Sequence, residues 1–352
     1  MTASRARVHR LPTVREEPGL LLSELTTLRL GGPARRIVVT ESERETVELV
    51  RELDARGEPV LVLGDGSNLV ISDDGFDGTA VQLEICDLER SRTRVPTLEV
   101  DAGAAWDDVV ALTVREGYAG LEALSGIPGR VGAAPIQNVG AYGQEVAQTL
   151  AWVRAMDRTT GEVVRMSRSD CGFAYRDSRF KRSSRYVVLR VAFDLEDSRL
   201  GAPVQYAELA RRLAVNVGTR VPATETREAV LDLRRAKGMV LDPIDHDTWS
   251  AGSFFTNPVL EPDQVPDGAP QWPASDGRVK TSAAWLIEQA GFGKGYGDGP
   301  ARVSGKHTLA LTNRGTASTT DLLRLAREIR DGVHKRFGVE LVNEPVLVGV
   351  SL

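Results

Sequence analysis

The sequence contains only two cysteines, Cys86 and Cys171, in 352 residues. Two thiols provide neither a disulfide framework nor a set of metal ligands. The composition therefore excludes a small secreted protein held together by disulfides, and we predict no metal site. It also fits a reducing compartment, so we expect a cytoplasmic protein.

The chain lacks any run of about 18 apolar residues, the length that a membrane-spanning helix needs. It begins MTASRARVHRLPTVREE, which has basic residues but no apolar segment of the kind found in secretory signals. We therefore predict no membrane partner, and we expect residues 1–18 to form a flexible N-terminal tail.

The chain has no excess of positive charge. The formal net charge is −5, whereas nucleic-acid-binding domains carry a basic footprint, so we predict no nucleic-acid partner. Only six residues are lysines, and arginines supply the other basic side chains. Because arginine is so common here, an isolated lysine is slightly stronger evidence of an anion site than an isolated arginine.

The pattern of helices and strands is typical of an α+β protein, and 352 residues suit two or three domains. Residues 42–57 repeat apolar side chains at helical spacing, and residues 59–85 read as three strands joined by glycine turns. Further strands are predicted at 98–103, 150–158, 162–167, 185–195, 308–313 and 339–349, and further helices at 106–116, 205–216, 223–237, 280–291 and from residue 318.

The glycine turn LGDGSNLV at 63–70 invites comparison with a dinucleotide-binding loop. A Rossmann loop needs a third glycine that opens a helix, but Leu69 stands there and a strand pattern follows. Two interpretations remain open. The segment is either a plain hairpin turn, or a nest of backbone N–H groups around Gly64 and Gly66 that suits a diphosphate.

Two further glycine-rich segments favour the nest. LRLGGPA at 28–34 and SGIPGRVGAAPIQNVGAYG at 125–143 offer main chain with few large side chains, against which a flat ligand can lie. Three such segments in one half of an α+β chain indicate a large planar cofactor that carries a diphosphate.

The stretch AGSFFTNP at 251–258 places two of the eight phenylalanines directly after a serine. In one interpretation, Ser253 caps a turn or helix and both aromatic rings fill core. In the other, Phe254 and Phe255 wall off a dry pocket into which Ser253 and Asn257 point. Taken alone, the stretch favours the first interpretation, because buried phenylalanines usually only pack.

Five motifs, in this order and spacing, resemble those of the UDP-N-acetylenolpyruvoylglucosamine reductase family over about residues 19–350: GDGSNL, GIPGRVGAAPIQNVGAYG, YRDSRFK, AGSFFTNP and NEPVLVG. The resemblance implies an FAD-binding fold of the vanillyl-alcohol-oxidase (PCMH) type at residues 19–204, in two subdomains split near residue 90. It also implies a family-specific α+β substrate-binding domain at 205–352, whose last strand returns toward the flavin.

The resemblance further implies an activity. The family reduces the enolpyruvyl ether of UDP-N-acetylglucosamine to UDP-N-acetylmuramate, a step of peptidoglycan precursor synthesis. The implied cofactors are noncovalent FAD and NADPH as hydride donor, the implied partner is a small nucleotide sugar, and we expect a monomer. An FAD-dependent oxidase on the same fold remains an alternative, although covalent flavin attachment is disfavoured because no histidine occurs between His9 and His246.

By the same resemblance, Ser253 donates a proton, while Arg176 and Glu344 flank the substrate carboxylate. The joint presence of these three residues argues against a noncatalytic nucleotide-binding module. The residues implied to bind the nucleotide and its surroundings are Tyr175, Tyr206, Lys237, Asn257 and His307. The residues implied to bind FAD are Gly64, Asp65, Gly66, Ser67, Asn68, Gly126, Ile127, Gly129, Gly132, Ala133, Gln137, Asn138, Gly140, Ala141 and Tyr142.

These residue types suit the reaction. Hydride addition to an enol ether leaves negative charge that spreads into the adjacent carboxylate, and a bidentate arginine such as Arg176 stabilises that charge. Otherwise Arg176 is a surface arginine paired with Asp177. Glu344 either orients Arg176, shares a proton through a pKa raised by burial, or is an ordinary strand-end glutamate.

A serine hydroxyl within hydrogen-bond reach is acidic enough to protonate a carbanion, which is the role implied for Ser253. Lys237 and Tyr206 would offset the charge of the diphosphate locally. Their alternatives are a lysine at a helix C-terminus and a packed tyrosine.

Overall fold

A computed structural model describes residues 14–92, 96–274 and 276–352. Residues 1–13, most of the predicted tail, lie outside the described residues. The end of that tail is instead ordered, because residues 15–16 form a short strand. The strands are β1 (Arg15–Glu16), β2 (Ala34–Thr40), β3 (Val60–Leu63), β4 (Leu69–Ile71), β5 (Phe76–Leu83), β6 (Leu88–Arg92), β7 (Pro96–Asp101), β8 (Tyr118–Ala119), β9 (Gly140–Ala141), β10 (Gln144–Glu145), β11 (Leu150–Asp157), β12 (Glu162–Ser167), β13 (Tyr186–Asp194), β14 (Glu196–Asp197), β15 (Val259–Leu260), β16 (Gln271–Pro273), β17 (Val279–Thr281), β18 (Ala301–Val303), β19 (Leu311–Asn313) and β20 (Val346–Val348). The α-helices are α1 (Glu43–Ala55), α2 (Trp106–Glu116), α3 (Ala207–Arg212), α4 (Ala223–Ala236), α5 (Ala283–Gln289) and α6 (Thr319–Phe337).

The first sheet has the order β1-β2-β5-β3, in which β2, β5 and β3 run parallel. Helix α1 connects β2 to β3 and begins where the Ser42 side chain accepts a hydrogen bond from the backbone N–H of Glu45. Its apolar stripe, which includes Val47, Val50 and Leu53, is buried in the core shared with the second sheet. The predicted helix at 42–57 is therefore confirmed.

The second sheet has the order β12-β11-β13-β7-β6 and is antiparallel throughout. Helix α2 packs beside it and buries Trp106, whose indole N–H donates to the carbonyl of Leu124 at 3.0 Å. One apolar core joins the two sheets. Residues 34–194 therefore form one packed unit that supports the glycine-rich segments.

A second core lies in the C-terminal part of the chain, around α5, α6 and the β18–β19 hairpin. Helix α6 begins with the predicted capping box, in which Ser318 and Asp321 exchange hydrogen bonds. Phe254 and Phe255 are both 1% exposed here, with ring centroids 5.1 Å apart. Three apolar residues of the first half, Leu28, Leu30 and Val70, complete the same core.

Helices α3 and α4 pack together on apolar residues that include Ala123 and Val204. These contacts attach residues 207–236 to the first half of the chain rather than to the C-terminal core. Side-chain packing therefore does not divide the chain at residue 205, and the domain boundary proposed there stays a prediction.

Strand β20 returns from the C-terminal part and pairs in parallel with β4, with Val346 opposite Leu69. Strand β3 pairs with β5 and not with β4. The hairpin interpretation of the 63–70 turn is therefore wrong: the turn carries the chain from one sheet to another. None of the helices in the described ranges is long and apolar enough to cross a bilayer.

Candidate functional site

A cleft of about 750 Å³ lies where the 64–68 turn, the 127–145 segment, the end of α4 and the start of the C-terminal core meet. Most of the predicted site residues line it, although they come from distant parts of the sequence. Those residues are Gly64, Asp65, Gly66, Ser67, Asn68, Ile127, Ala133, Gln137, Gly140, Ala141, Tyr142, Tyr175, Arg176, Tyr206, Lys237, Ser253, Asn257, His307 and Glu344.

Four residues that were predicted to bind FAD lie behind this lining instead. A Cβ atom on Gly129 would lie 2.7 Å from the Ser67 hydroxyl, and Cβ atoms on Gly126 and Gly132 would collide with neighbouring side chains. These glycines allow the glycine-rich segment to pack closely. Asn138 is buried, and its side chain bonds to the backbone of residues 147 and 174, so its amide supports the cleft wall from within.

The 64–68 turn presents bare backbone to the cleft. Gly66 has φ 52°, and a Cβ there would lie 2.3 Å from the carbonyl oxygen of Leu25, so only glycine fits. Among the described residues, the backbone N–H groups of residues 66–68 have no protein acceptor. Such a concave set of N–H groups is suited to an anion.

Side chains fix this turn in place. The amide of Asn68 donates to the Gln137 side-chain oxygen at 2.7 Å, which ties the turn to the glycine-rich segment. Arg130 pairs with Asp65 and donates to the carbonyl of Gly103 at 2.8 Å. Sequence reasoning missed Arg130, although it lies inside the GIPGR motif.

Arg176 lies in a tight turn that two backbone hydrogen bonds close. The N–H of Ala174 donates to the carbonyl of Asp177, and the N–H of Asp177 donates to the carbonyl of Ala174. Its guanidinium donates to the Gly140 carbonyl at 2.6 Å, and its Nε lies 3.1 Å from Oε1 of Glu344. The Nε–H is not aligned for a hydrogen bond to that oxygen, so the contact is an ion pair. Arg176 does not pair with Asp177, and the surface interpretation is wrong.

Glu344 is held just before β20. Its side chain is 12% exposed, and its backbone N–H donates to the carbonyl of Phe254 at 2.8 Å. Burial raises the pKa of the Glu344 carboxyl, and the positive charges of Arg176 and Lys181 oppose that rise. A carboxylate in this position can hold the Arg176 side chain in one orientation.

Ser253 lines the cleft, and backbone contacts to residues 309 and 310 hold its segment in place. Its backbone pairs with Ala310, and the next residue, Phe254, donates its N–H to the carbonyl of Leu309 at 2.7 Å. The Ser253 hydroxyl has no protein partner among the described residues. The two phenylalanines do not line the cleft, so the interpretation in which they wall it off is wrong: they fill core and thereby fix the backbone of Ser253.

The residues predicted to bind a nucleotide line the same cleft. Lys237 follows the last turn of α4, and its Nζ lies 2.6 Å from Oε2 of Glu208. Tyr142 and Tyr206 meet edge to face, with centroids 5.7 Å apart, and burial raises the pKa of Tyr142 to about 12. Tyr206 is 46% exposed and forms the rim.

Asn257 and Tyr175 both line the cleft, and burial raises the pKa of the Tyr175 hydroxyl. The side-chain oxygen of Asn257 accepts from the N–H of Ala283 at the start of α5, so its amide nitrogen remains for a ligand. Lys280, another residue that the sequence did not single out, places Nζ 4.7 Å from the Tyr175 ring centroid.

His307 and Arg234 lie close to Lys237. Burial and the charges of Lys237, Lys294 and Arg234 lower the pKa of His307 to about 4, so the imidazole is neutral at pH 7. Arg234 donates to the carbonyl of Met239, but its buried Nε has no partner among the described residues. The sequence does contain a signal for Arg234, since it precedes Lys237 by three residues and shares its helix face.

Comparison with known proteins identifies both parts of the chain. A family model described as "FAD binding domain" matches residues 34–167, and one described as "UDP-N-acetylenolpyruvoylglucosamine reductase, C-terminal domain" matches residues 242–348. The chain is 57% identical to the UDP-N-acetylenolpyruvoylglucosamine reductase of Streptomyces coelicolor, covering 97% of this chain and 92% of that protein. It is 56% identical to that of Thermobifida fusca, covering 94% and 97%.

A solved structure resembles the whole chain as well. The crystal structure of UDP-N-acetylenolpyruvylglucosamine reductase from Thermus caldophilus superimposes with a TM-score of 0.66 at 28% sequence identity. The superposition covers 95% of this chain and 99% of the Thermus chain. The α+β prediction, with an FAD-binding first half and a family-specific C-terminal part, is confirmed.

Proposed function

Since the chain belongs to the UDP-N-acetylenolpyruvoylglucosamine reductase family, we propose that Ser253, Arg176 and Glu344 perform the chemistry of its reaction. The protein is an oxidoreductase that uses FAD and NADPH to reduce the enolpyruvyl ether of UDP-N-acetylglucosamine to UDP-N-acetylmuramate. The observation that supports the residue roles is their convergence: all three line one cleft together with the 64–68 turn.

The cleft fits FAD. The unpartnered N–H groups of residues 66–68 suit its diphosphate, and the main chain of the 127–142 segment offers a flat surface with few large side chains. Asp65, Asn68 and Gln137 hold these two segments together. When bound there, FAD supplies hydride transfer from NADPH to the enol ether.

Arg176 binds the carboxylate of the enolpyruvyl group and stabilises the negative charge that spreads into it. A guanidinium fixed by the Gly140 carbonyl and by Glu344 needs little reorganisation when that charge develops. Glu344 therefore acts by orienting Arg176. The ionised form of its carboxyl is the active one, because a neutral carboxylic acid would no longer attract the guanidinium.

Ser253 then protonates the carbon next to the carboxylate on one face. Its hydroxyl is open to the cleft and its backbone is fixed by the buried phenylalanines, so the donor is held at a defined position. The hydroxyl gives its proton to carbon and regains one from solvent through the open end of the cleft.

Further residues that line the cleft bind the nucleotide. Lys237 offsets the charge of the diphosphate, and Tyr206 and Tyr175 pack against the sugar and base. The side-chain amide nitrogen of Asn257 and the neutral imidazole of His307 supply hydrogen-bonding groups without adding charge. We place the substrate-binding part at 205–352 and the FAD-binding part at 19–204.

We also propose that the enzyme is a monomer that works in the cytoplasm, where its nucleotide-sugar substrate is available. Both cysteines are free, Cys171 in the core and Cys86 on the surface, which fits a reducing compartment. The mass of the native particle in solution, measured by light scattering, tests the monomer.

The test of the residue roles separates the two halves of the reaction under anaerobic conditions. In Ser253→Ala, NADPH bleaches the flavin at the normal rate, whereas reoxidation by the enolpyruvyl nucleotide slows by about 10²–10⁴-fold. Ser250→Ala, at another serine that lines the cleft, is the matched control and retains both steps. Equal damage to both steps in Ser253→Ala would show that the serine is structural.

A further inference from the structure

The turn that presents Arg176 is conformationally strained. Arg176 has φ 52°, in the left-handed region that is unfavourable for a residue with a side chain. The guanidinium of the same residue reaches the Gly140 carbonyl and Glu344. A hydrogen bond to the Arg176 carbonyl can hold the backbone in this conformation when no substrate is bound.

Lys181 is the group that meets this carbonyl. Its Nζ donates to the Arg176 carbonyl oxygen at 2.7 Å, across five residues of chain. The ammonium is partly buried, and no carboxylate of the described residues lies within ion-pair distance of it. Lys181 belongs to the YRDSRFK motif, yet the proposed reaction gives it no part.

The loop around Lys181 is fixed to the cleft wall. The Ser178 hydroxyl donates to the Ile136 carbonyl at 2.5 Å and accepts from the N–H of Phe180. The N–H of Lys181 donates to the Ser178 carbonyl at 3.2 Å. Lys181 does not line the cleft, whereas Arg176 does.

We infer that Lys181 is a positioning residue for the reduction of the enol ether: its ammonium holds the left-handed Arg176 backbone and keeps the Arg176–Glu344 pair in its working arrangement. This inference rests on the proposed function, because it assigns Lys181 to the same site. Lys181 touches neither substrate nor flavin and acts through the two residues in front of it.

The charges around Glu344 support this assignment. The groups that face Glu344 are Arg176, Lys181 and Tyr175, and both cations oppose the rise in the carboxyl pKa that burial causes. Burial lowers the pKa of Lys181, and the strongest opposing influence is Glu344. Arg182, Asp177 and Arg176 are the other charged groups that influence Lys181. Removing the ammonium therefore removes a charge that keeps Glu344 ionised.

The experiment compares Lys181→Met with Lys181→Arg in the FAD-loaded enzyme. In Lys181→Met, we expect kcat for the enolpyruvyl nucleotide to fall about 10- to 100-fold, while NADPH bleaches the flavin within about twofold of the normal rate. The acid limb of the kcat–pH profile should move up by about one pH unit, because Glu344 gains a proton more easily. Lys181→Arg should restore the limb, since it keeps the charge and a donor.

Arg182→Met is the matched control, because it removes one positive charge from the same loop at an exposed position. It should leave both the rate and the acid limb unchanged. If Lys181→Met lowers the melting temperature but leaves the acid limb in place, or if Lys181→Arg fails to restore it, Lys181 is merely structural and the inference is wrong.

The result also separates this inference from the proposed function. If Arg176→Met leaves enol-ether reduction intact, the proposed function itself fails. If Arg176→Met abolishes it while Lys181→Met keeps the normal rate and pH profile, only the inference about Lys181 fails.

Discussion

Lys237, which lines the cleft, forms an ion pair with Glu208, with Nζ and Oε2 2.6 Å apart and each side chain about one-third exposed. The cation proposed to meet the diphosphate is therefore already engaged by a carboxylate of α3. A diphosphate must displace Glu208, or share Lys237 with it, in order to bind. If Lys237 binds the diphosphate as proposed, the Glu208 carboxylate and the diphosphate compete for it.

The first prediction concerns this competition. Glu208→Gln should tighten binding of the nucleotide substrate by about 3- to 10-fold, because the carboxylate no longer competes for Lys237 and its charge no longer repels the diphosphate. Lys237→Met should weaken binding by about 10- to 100-fold. Calorimetric titration at two salt concentrations measures both, and exposed Glu225→Gln on α4 is the control. Unchanged affinity in Glu208→Gln would contradict the competition.

The second prediction concerns the glycine turn. Gly66→Ala should lower FAD affinity at least 10-fold and destabilise the fold, because the new Cβ collides with the Leu25 carbonyl and shifts the N–H groups of residues 66–68. Gly57→Ala is matched to it, since Gly57 also has positive φ but a Cβ there would meet no other atom within 4 Å.

In Gly57→Ala, we expect a loss of about 1 kcal/mol in the free energy of unfolding and normal FAD affinity. Titration of the apoprotein with FAD, followed by flavin fluorescence, gives the affinities. If both variants bind FAD equally well, the 64–68 turn is not a diphosphate site.

The third prediction is a pH effect. The pKa of His307 is lowered to about 4 in the folded protein, against about 6.5 in an unfolded chain. Protonation below pH 6.5 therefore favours the unfolded state, and the stability contributed by neutral His307 is fully present above pH 6.5 and is lost as pH falls toward 4. Denaturant unfolding of His307→Gln should show a smaller loss of stability over this range, by up to about 3 kcal/mol. Parallel pH curves for both proteins would contradict it.

The fourth prediction separates core packing from catalysis at AGSFFTNP. Phe255→Leu should lower the free energy of unfolding by about 1 kcal/mol, because it leaves space in a fully buried core. It should change the flavin reoxidation rate less than tenfold, since the ring does not line the cleft. If Phe255→Leu slowed reoxidation as much as Ser253→Ala does and left stability normal, the Phe255 ring would be part of the cleft wall after all.

The sequence predicted the local elements and the cofactor well, because both depend on residues that are close together in the chain. The helix at 42–57 and the capping box at Ser318 follow from spacing alone, and the observed elements agree. The five motifs indicated the family, and FAD, NADPH and the reductase activity are confirmed by its relatives.

Pairing between distant segments was not accessible in the same way. Nothing within LGDGSNLV distinguishes a hairpin from a turn whose second strand pairs with β20, near the end of the chain. Glycine itself is ambiguous: Gly66 faces the cleft and Gly132 faces Ala102, although both stand in glycine-rich motifs. The sequence did not predict Arg130 or Glu208 as site residues, because each contacts a partner from another segment of the chain.

The parallel pairing of β20 with β4 also has a consequence for how the enzyme is made. Strand β20 follows Glu344 closely and pairs with the strand after the 64–68 turn, so the residues of the first core are synthesised before Glu344 and β20. The Arg176–Glu344 ion pair can therefore form only after this last segment has been synthesised, and we expect the β4–β20 pairing, which joins residues far apart in the sequence, to be a late step of folding.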